Sequence, residues 1–295
     1  MRHPSSGRAS FAVGIAVCLA ACGGAAPTAT GGLSLDPTEY AQPGVHEVTL
    51  TIEGTERAYS LLVPDSYDAS TPTPLLLAFH GYTTDPNSMI YGEWGRLAQE
   101  KGFLVAAPAG LEREWAVARN AEEARQALPN SEVDLTTFPY GDRDVALAAA
   151  VLADVSEYLF VDQERVFATG VSLGGFMASR VACEIGGHFA GLGPTLNSLL
   201  YAGSCTADHR FAIVSVGHLS DATHAVADAR EAALGWAEHN GCTAEPTESA
   251  PQDRITEVSF DGCPDDAPVR MLIHELGWPG DADERAVWEF FASLP

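Results

Sequence analysis

Five short apolar runs constrain the fold of this 295-residue chain more than any other feature. Leu75–Phe79 is apolar at every position and stands between Pro74 and Gly81. Stretches 103–107, 165–171, 211–216 and 269–273 read the same way. A strand with one wet face alternates, whereas a strand apolar throughout is buried on both faces and needs cover on each. That cover is written between the runs. Val145, Ala149, Leu152, Val155 and Leu159 fall on one helical face within 144–159. Further helical patterns follow Ser172, span 223–239, and start near Asp281, where Glu284 makes a capping box. The last of these is expected to bury Val287, Phe290, Phe291 and Leu294, and Trp94, Trp236 and Trp288 are expected in the core. Ahead of them, 45–52 and 57–63 alternate apolar and polar around Gly54, the mark of an antiparallel hairpin. Strands alternating with helices predict an α/β fold: a mostly parallel, twisted sheet with helices on both faces. Residues 111–142 hold Trp115 and many charges without a period, which predicts a long loop or partial lid over the sheet's carboxyl edge.

The start of the chain has a different texture. Arg2 and Arg8 precede an apolar run from Phe11 to Ala21. It is shorter than the roughly 17–25 apolar residues that cross a bilayer, but it suits a secretory signal over residues 1–21. Leu19-Ala20-Ala21-Cys22 resembles the lipobox of bacterial lipoproteins, so Cys22 is expected to become a lipidated N-terminus. Gly23 is not the aspartate that retains lipoproteins in an inner membrane, which points to the outer membrane or cell surface. Residues 22–44, rich in Gly, Ala, Thr and Pro, predict a flexible tether ahead of one domain over 45–295.

The formal charge of −24 repels polyanions and excludes nucleic acid as a partner. The acids are spread along the chain and read as a solvated surface. Beyond Cys18 and Cys22 stand Cys183, Cys205, Cys242 and Cys263, and an even number in an exported chain implies disulfides. Of the three possible pairings, proximity favours Cys183–Cys205 and Cys242–Cys263, each closing a loop of about 21 residues and contributing about 3 kcal/mol. The cysteines have no C-x-x-C spacing and are not read as metal ligands. No metal or organic cofactor is expected.

Gly170-Val171-Ser172-Leu173-Gly174 has the form G-x-S-x-G, preceded by an apolar strand and followed by a helix. That setting is a nucleophile elbow, in which glycines permit a tight turn that lifts the Ser172 hydroxyl above the sheet. A serine nucleophile needs backbone donors for its oxyanion. The Leu173 amide is one candidate, and the Tyr82 amide, in the loop after Leu75–Phe79, is the other; His80 is then a structural residue. Asp221, just past the 211–216 strand, is the expected acid. The base should follow the acid in sequence, where His224, His239 and His274 stand. His224 is too near Asp221 for acid and base to come from separate loops, and His239 reads as a helix C-terminal partner. His274, where a strand leaves the sheet, is expected to be the base. Trp115 and Trp278 are candidates for aromatic substrate contact, with packing as the alternative for each.

From about residue 57 onward the chain resembles the secreted esterases grouped with polyhydroxybutyrate depolymerases and feruloyl esterases, which are α/β-hydrolases. The resemblance rests on His80-Gly81, Asp144-Val145, residues 162–175 (DQERVFATGVSLGG), the paired cysteines and a final Trp-Pro-Gly. It implies the α/β-hydrolase fold, an ester substrate, and roles of nucleophile for Ser172 and acid for Asp221. Two departures stand out. The usual His-Gly before the acid reads Gly217-His218. Where such esterases have Gly-Gly-His-x-Trp-Pro, this chain puts Leu276 in the histidine register and His274 two residues earlier. The expected function is an exported, lipid-anchored serine esterase. The alternative is a hydrolase-fold lipoprotein without catalysis that binds a glycan or polymer ester.

Overall fold

The computed structural model describes residues 37–127, 134–196, 198–200, 205, 209–221, 225–252, 254–264, 267–275 and 281–295. Cys22, His224, Leu276 and Trp278 therefore lie outside the described residues. A short helix, α1 (Pro37–Tyr40), leads into β1 (Gly44–Ile52) and β2 (Thr55–Val63), the expected antiparallel hairpin. Tyr40, from the stretch expected to be tether, is fully buried, stacks on Tyr158 and donates to Asp154 at 2.8 Å. The chain continues through β3 (Thr73–Phe79), α2 (Asn87–Ile90), α3 (Glu93–Lys101) and β4 (Leu104–Pro108). After a short helix α4 (Ala121–Ala127) come α5 (Arg143–Tyr158), β5 (Val161–Val171), α6 (Leu173–Glu184), β6 (Gly191–Thr195) and β7 (Ala212–His218). The last part holds α7 (Val226–Asn240), the hairpin β8 (Thr247–Gln252) and β9 (Ile255–Phe260), then β10 (Val269–His274) and α8 (Asp281–Ala292).

These strands form one sheet in the order β1-β2-β4-β3-β5-β6-β7-β10-β9-β8. From β4 through β10 every pairing is parallel, with antiparallel strands at both margins. Period-two alternation divides the strand residues between two cores. Leu75, Leu77 and Phe79 face α5, α6 and α7, while Leu76, Ala78, Phe167, Val214 and Val216 face α3 and α8. Four of the five apolar runs are strands buried on both sides, whereas β10 is buried on one face and half-buried on the other, and α5, α6, α7 and α8 stand where helical patterns were expected. Strand β6 was not foreseen, because Gly-Leu-Gly-Pro-Thr has neither apolar continuity nor alternation. Its glycines serve close packing: a Cβ on Gly193 would come within 2.3 Å of Val287 Cγ1 on α8.

Both expected disulfides, Cys183–Cys205 and Cys242–Cys263, are present. The first ties the end of α6 to the segment before β7, and the second ties the end of α7 to the end of β9. The described residues of the 111–142 stretch are tied down more firmly than a loop reading implies. Asp144 is fully buried; it accepts from the Ala116 amide at 2.7 Å and pairs with Arg57 at 2.7 Å. Arg180 on α6 donates to the carbonyls of Ala116 and Gly141, clamping both ends of the stretch beside the elbow helix.

Candidate active site

Ser172 sits between β5 and α6 with φ 54° and ψ −124°, a conformation that a residue bearing a Cβ rarely adopts. The surrounding glycines make that turn possible. A Cβ on Gly170 would lie 2.2 Å from Gly174 O, and one on Gly174 would lie 2.1 Å from Phe79 O. No side chain fits either place, so β3, β5 and the head of α6 approach backbone to backbone. The Ser172 carbonyl accepts from the Gly175 amide at 2.8 Å, which starts the helix and leaves the Leu173 N–H at its open first turn.

The loop after β3 runs alongside. The Cβ position of Gly81 is 3.8 Å from Ser172 Cβ, which brings the His80-Gly81-Tyr82 backbone to the elbow. His80 is structural, as expected. Its buried ring contacts Gly81 O through Nδ1 at 2.8 Å and accepts from the Gly110 amide at Nε2, 3.1 Å away. Burial lowers its pKa, so the neutral ring with a proton on Nδ1 fits both contacts. Trp115 corrects an expectation. It is fully buried, donates from Nε1 to His80 O at 2.8 Å and packs edge-on against Phe79, so it supports the loop after β3 and presents no surface to a substrate. The exposed aromatic of that loop is Tyr82, 49% accessible, with its ring 5.4 Å from that of Phe138.

Asp221 follows β7 by three residues, in a turn closed by its amide and the His218 carbonyl at 3.2 Å. His274 is placed differently from the expectation. It is the last residue of β10, paired with His218 on β7 and with Ile255 on β9, and its carbonyl accepts from the Leu219 amide at 2.9 Å. Sheet register carries Val171 across Thr195 and Val216 to Leu272, so Ser172 and His274 leave strands three places apart. Three strand spacings are roughly 14 Å, whereas a general base must come within about 3 Å of the hydroxyl. The imidazole also points elsewhere. His274 shares the α8 face of the sheet with Val216 and Leu272, and its Nδ1 lies 3.4 Å from Asp283 Oδ1. Burial lowers its pKa first of all; Asp283 opposes that shift and His218 adds to it. The described structure therefore assembles Ser172 with the Leu173 and Tyr82 amides but does not bring His274 to them.

Asp283 was missed by the sequence reading. It is 1% exposed in the first turn of α8 and contacts His218 Nε2 at 2.7 Å. An aspartate at a helix start reads as a cap, and nothing local marks it as the partner of two histidines.

Comparisons with known proteins agree with this architecture. No protein-family model matches the chain. Feruloyl esterase D of Neurospora crassa is 26% identical over 268 residues, covering 83% of this chain and 84% of that protein. Probable feruloyl esterase C of Aspergillus oryzae is 28% identical over 265 residues, covering 84% and 86%. Among solved structures, the acetyl xylan esterase from Aspergillus awamori superposes with a TM-score of 0.61 at 16% identity, over 84% of this chain and 99% of that one. The chain has the α/β-hydrolase fold, and over more than four-fifths of its length its sequence is similar to those of feruloyl esterases.

Proposed function

We propose that this chain is a carboxylic ester hydrolase whose nucleophile is Ser172. The observation that carries this reading is the strained serine at the head of α6, beside the loop after β3. Ser172 Oγ attacks the ester carbonyl, the Leu173 and Tyr82 amides hold the oxyanion, and water then releases the acyl group. Asp221 is the acid that orients the imidazole. Substitution assigns that imidazole. Of the histidines after Asp221, His239 stands at the opposite sheet edge with Nε2 3.1 Å from His209 O. His274 and His224 are left. The substrate reading is an aryl ester of the feruloyl type, supported by the relatives' names and by the exposed Tyr82 ring beside the oxyanion loop. The two disulfides and the signal-like start support export, with attachment at Cys22 to the outer membrane or cell surface. A Cys22→Ser variant is expected to lose fatty-acid labelling and leave the membrane fraction.

A second reading, a binder of glycan or polymer esters without catalysis, is favoured by the His274 ring facing Asp283 instead of Ser172. A fluorophosphonate probe with methyl ferulate and p-nitrophenyl acetate separates the two. The esterase labels at Ser172 and hydrolyses both esters, and Ser172→Ala abolishes both signals. His224→Ala and His274→Ala then identify the proton acceptor by which one silences Ser172. A wild-type chain that neither labels nor hydrolyses sinks the esterase reading and leaves the binder.

A further inference from the structure

Away from the elbow, three metal-ligating side chains converge on one another and not on Ser172. His218 and His274 end adjacent parallel strands on the same rung, with ring centroids 5.1 Å apart and planes at 65°. Asp283 reaches them from the first turn of α8. His218 is 2% exposed and Asp283 1%. One donor atom from each of the three lies within 4.8 Å of the others. We propose that His218, His274 and Asp283 bind one divalent transition-metal ion of the zinc class, which ties α8 to the carboxyl ends of β7 and β10.

Two features of the cluster favour an ion over a plain hydrogen-bonded group. The His274 Nδ1 to Asp283 Oδ1 separation is 3.4 Å, at the long limit of a hydrogen bond. Two ligand atoms on a tetrahedral ion, each bonded at about 2.0–2.2 Å, stand roughly 3.3–3.6 Å apart. The carboxylate therefore satisfies His218 well, at 2.7 Å, and His274 poorly. An ion between them takes a lone pair from His218 Nε2 and His274 Nδ1 and an oxygen from Asp283; the one proton each neutral ring keeps then sits on His218 Nδ1 and His274 Nε2, and any further proton leaves to solvent. Two imidazoles and one carboxylate suit zinc, cobalt, nickel or copper, whereas magnesium and calcium prefer an all-oxygen shell. Three protein ligands leave a fourth position for water. A cavity of about 450 Å³, lined by Ile255, Leu272, Arg285 and Phe290, reaches His274 and gives a route from the surface.

The test uses the full chain, stripped with a chelator and titrated with cobalt(II). Expected are one ion per chain and the visible bands of low-coordinate cobalt, displaced by zinc and untouched by magnesium or calcium. Asp283→Asn and His218→Ala are each expected to weaken binding by more than about 100-fold. Ser172→Ala should bind as wild type does, which separates this site from the ester-hydrolysis reading. Circular dichroism of the two ligand variants verifies that they are folded. A folded wild-type chain without stoichiometric, low-coordinate cobalt overturns the proposal, as does undiminished binding in both ligand variants.

Discussion

The elbow and the corner where β7, β10 and α8 meet are built on opposite principles. At the elbow, backbone meets backbone: glycines let β3, β5 and α6 approach until no side chain could be inserted. At the corner, side chains meet side chains, with His218, His274 and Asp283 gathered between the sheet and α8. The first arrangement is read from a five-residue pattern because the glycines that permit it all stand within that pattern, even though Gly174 packs on the distant Phe79 backbone. The second joins residues 65 apart at the His218–Asp283 contact, and its chemistry depends on which helix covers which strand end. A backbone-built site tolerates almost no substitution, whereas a side-chain cluster can be exchanged residue by residue.

Four substitution and titration experiments probe that contrast. The largest effect is expected at the elbow. Gly174→Ala sets a Cβ 2.1 Å from Phe79 O and should cost more than about 3 kcal/mol in urea unfolding. A cost below about 1 kcal/mol would show that the elbow yields and that the contrast with the corner is weak. At the corner, Asp283→Ala in metal-free buffer leaves the His218 and His274 rings without their carboxylate. The expected loss is about 1–3 kcal/mol, the usual penalty for stranding buried polar groups. Ser172→Gly should change stability in the other direction, raising it by about 1 kcal/mol by releasing the strain at φ 54°. Equal stability of Ser172→Gly and wild type would mean that the turn stores no strain.

The smallest effect is a pH dependence shared by both regions. Burial lowers the pKa of His80 at the elbow and of His274 at the corner below the ordinary 6.5. Near and below 6.5 the unfolded chain then binds more protons than the folded one, so stability rises with pH in that range. The stabilisation is complete above pH 6.5 and is lost as pH falls from there through the folded pKa values. Urea midpoints compared at about pH 7.5 and about pH 5.5 should fall on acidification. His274→Gln is expected to flatten part of that slope, and an unaltered slope would remove His274 from the acid response.

Much of the molecule was legible in advance. Uninterrupted apolar runs required strands covered on both faces, and alternation around Gly54 required a hairpin. G-x-S-x-G between a strand and a helix required a turn only glycines permit, and the pattern names those glycines without showing which backbone they meet. Strand β6 stayed hidden because close packing by α8, not its own hydrophobicity, makes Gly191–Thr195 a strand.

The chain's periodicities and glycines decided a parallel α/β sheet covered on both faces and the place of Ser172, because hydrophobic period and backbone sterics are written along the chain itself. Tertiary structure alone decided what His274 and Trp115 touch. Sequence spacing put His274 at a strand end on the correct edge, but it could not count the three strand spacings to Ser172. It also gave no sign that Asp283 waits on the α8 face. Trp115 looked like a loop aromatic available to substrate until the Arg57–Asp144 pair and the Arg180 clamp folded its segment under the loop after β3. A side chain's partner depends on strand order and on which sheet face it occupies. A period of two shows that faces alternate, but it does not show what lies across from them.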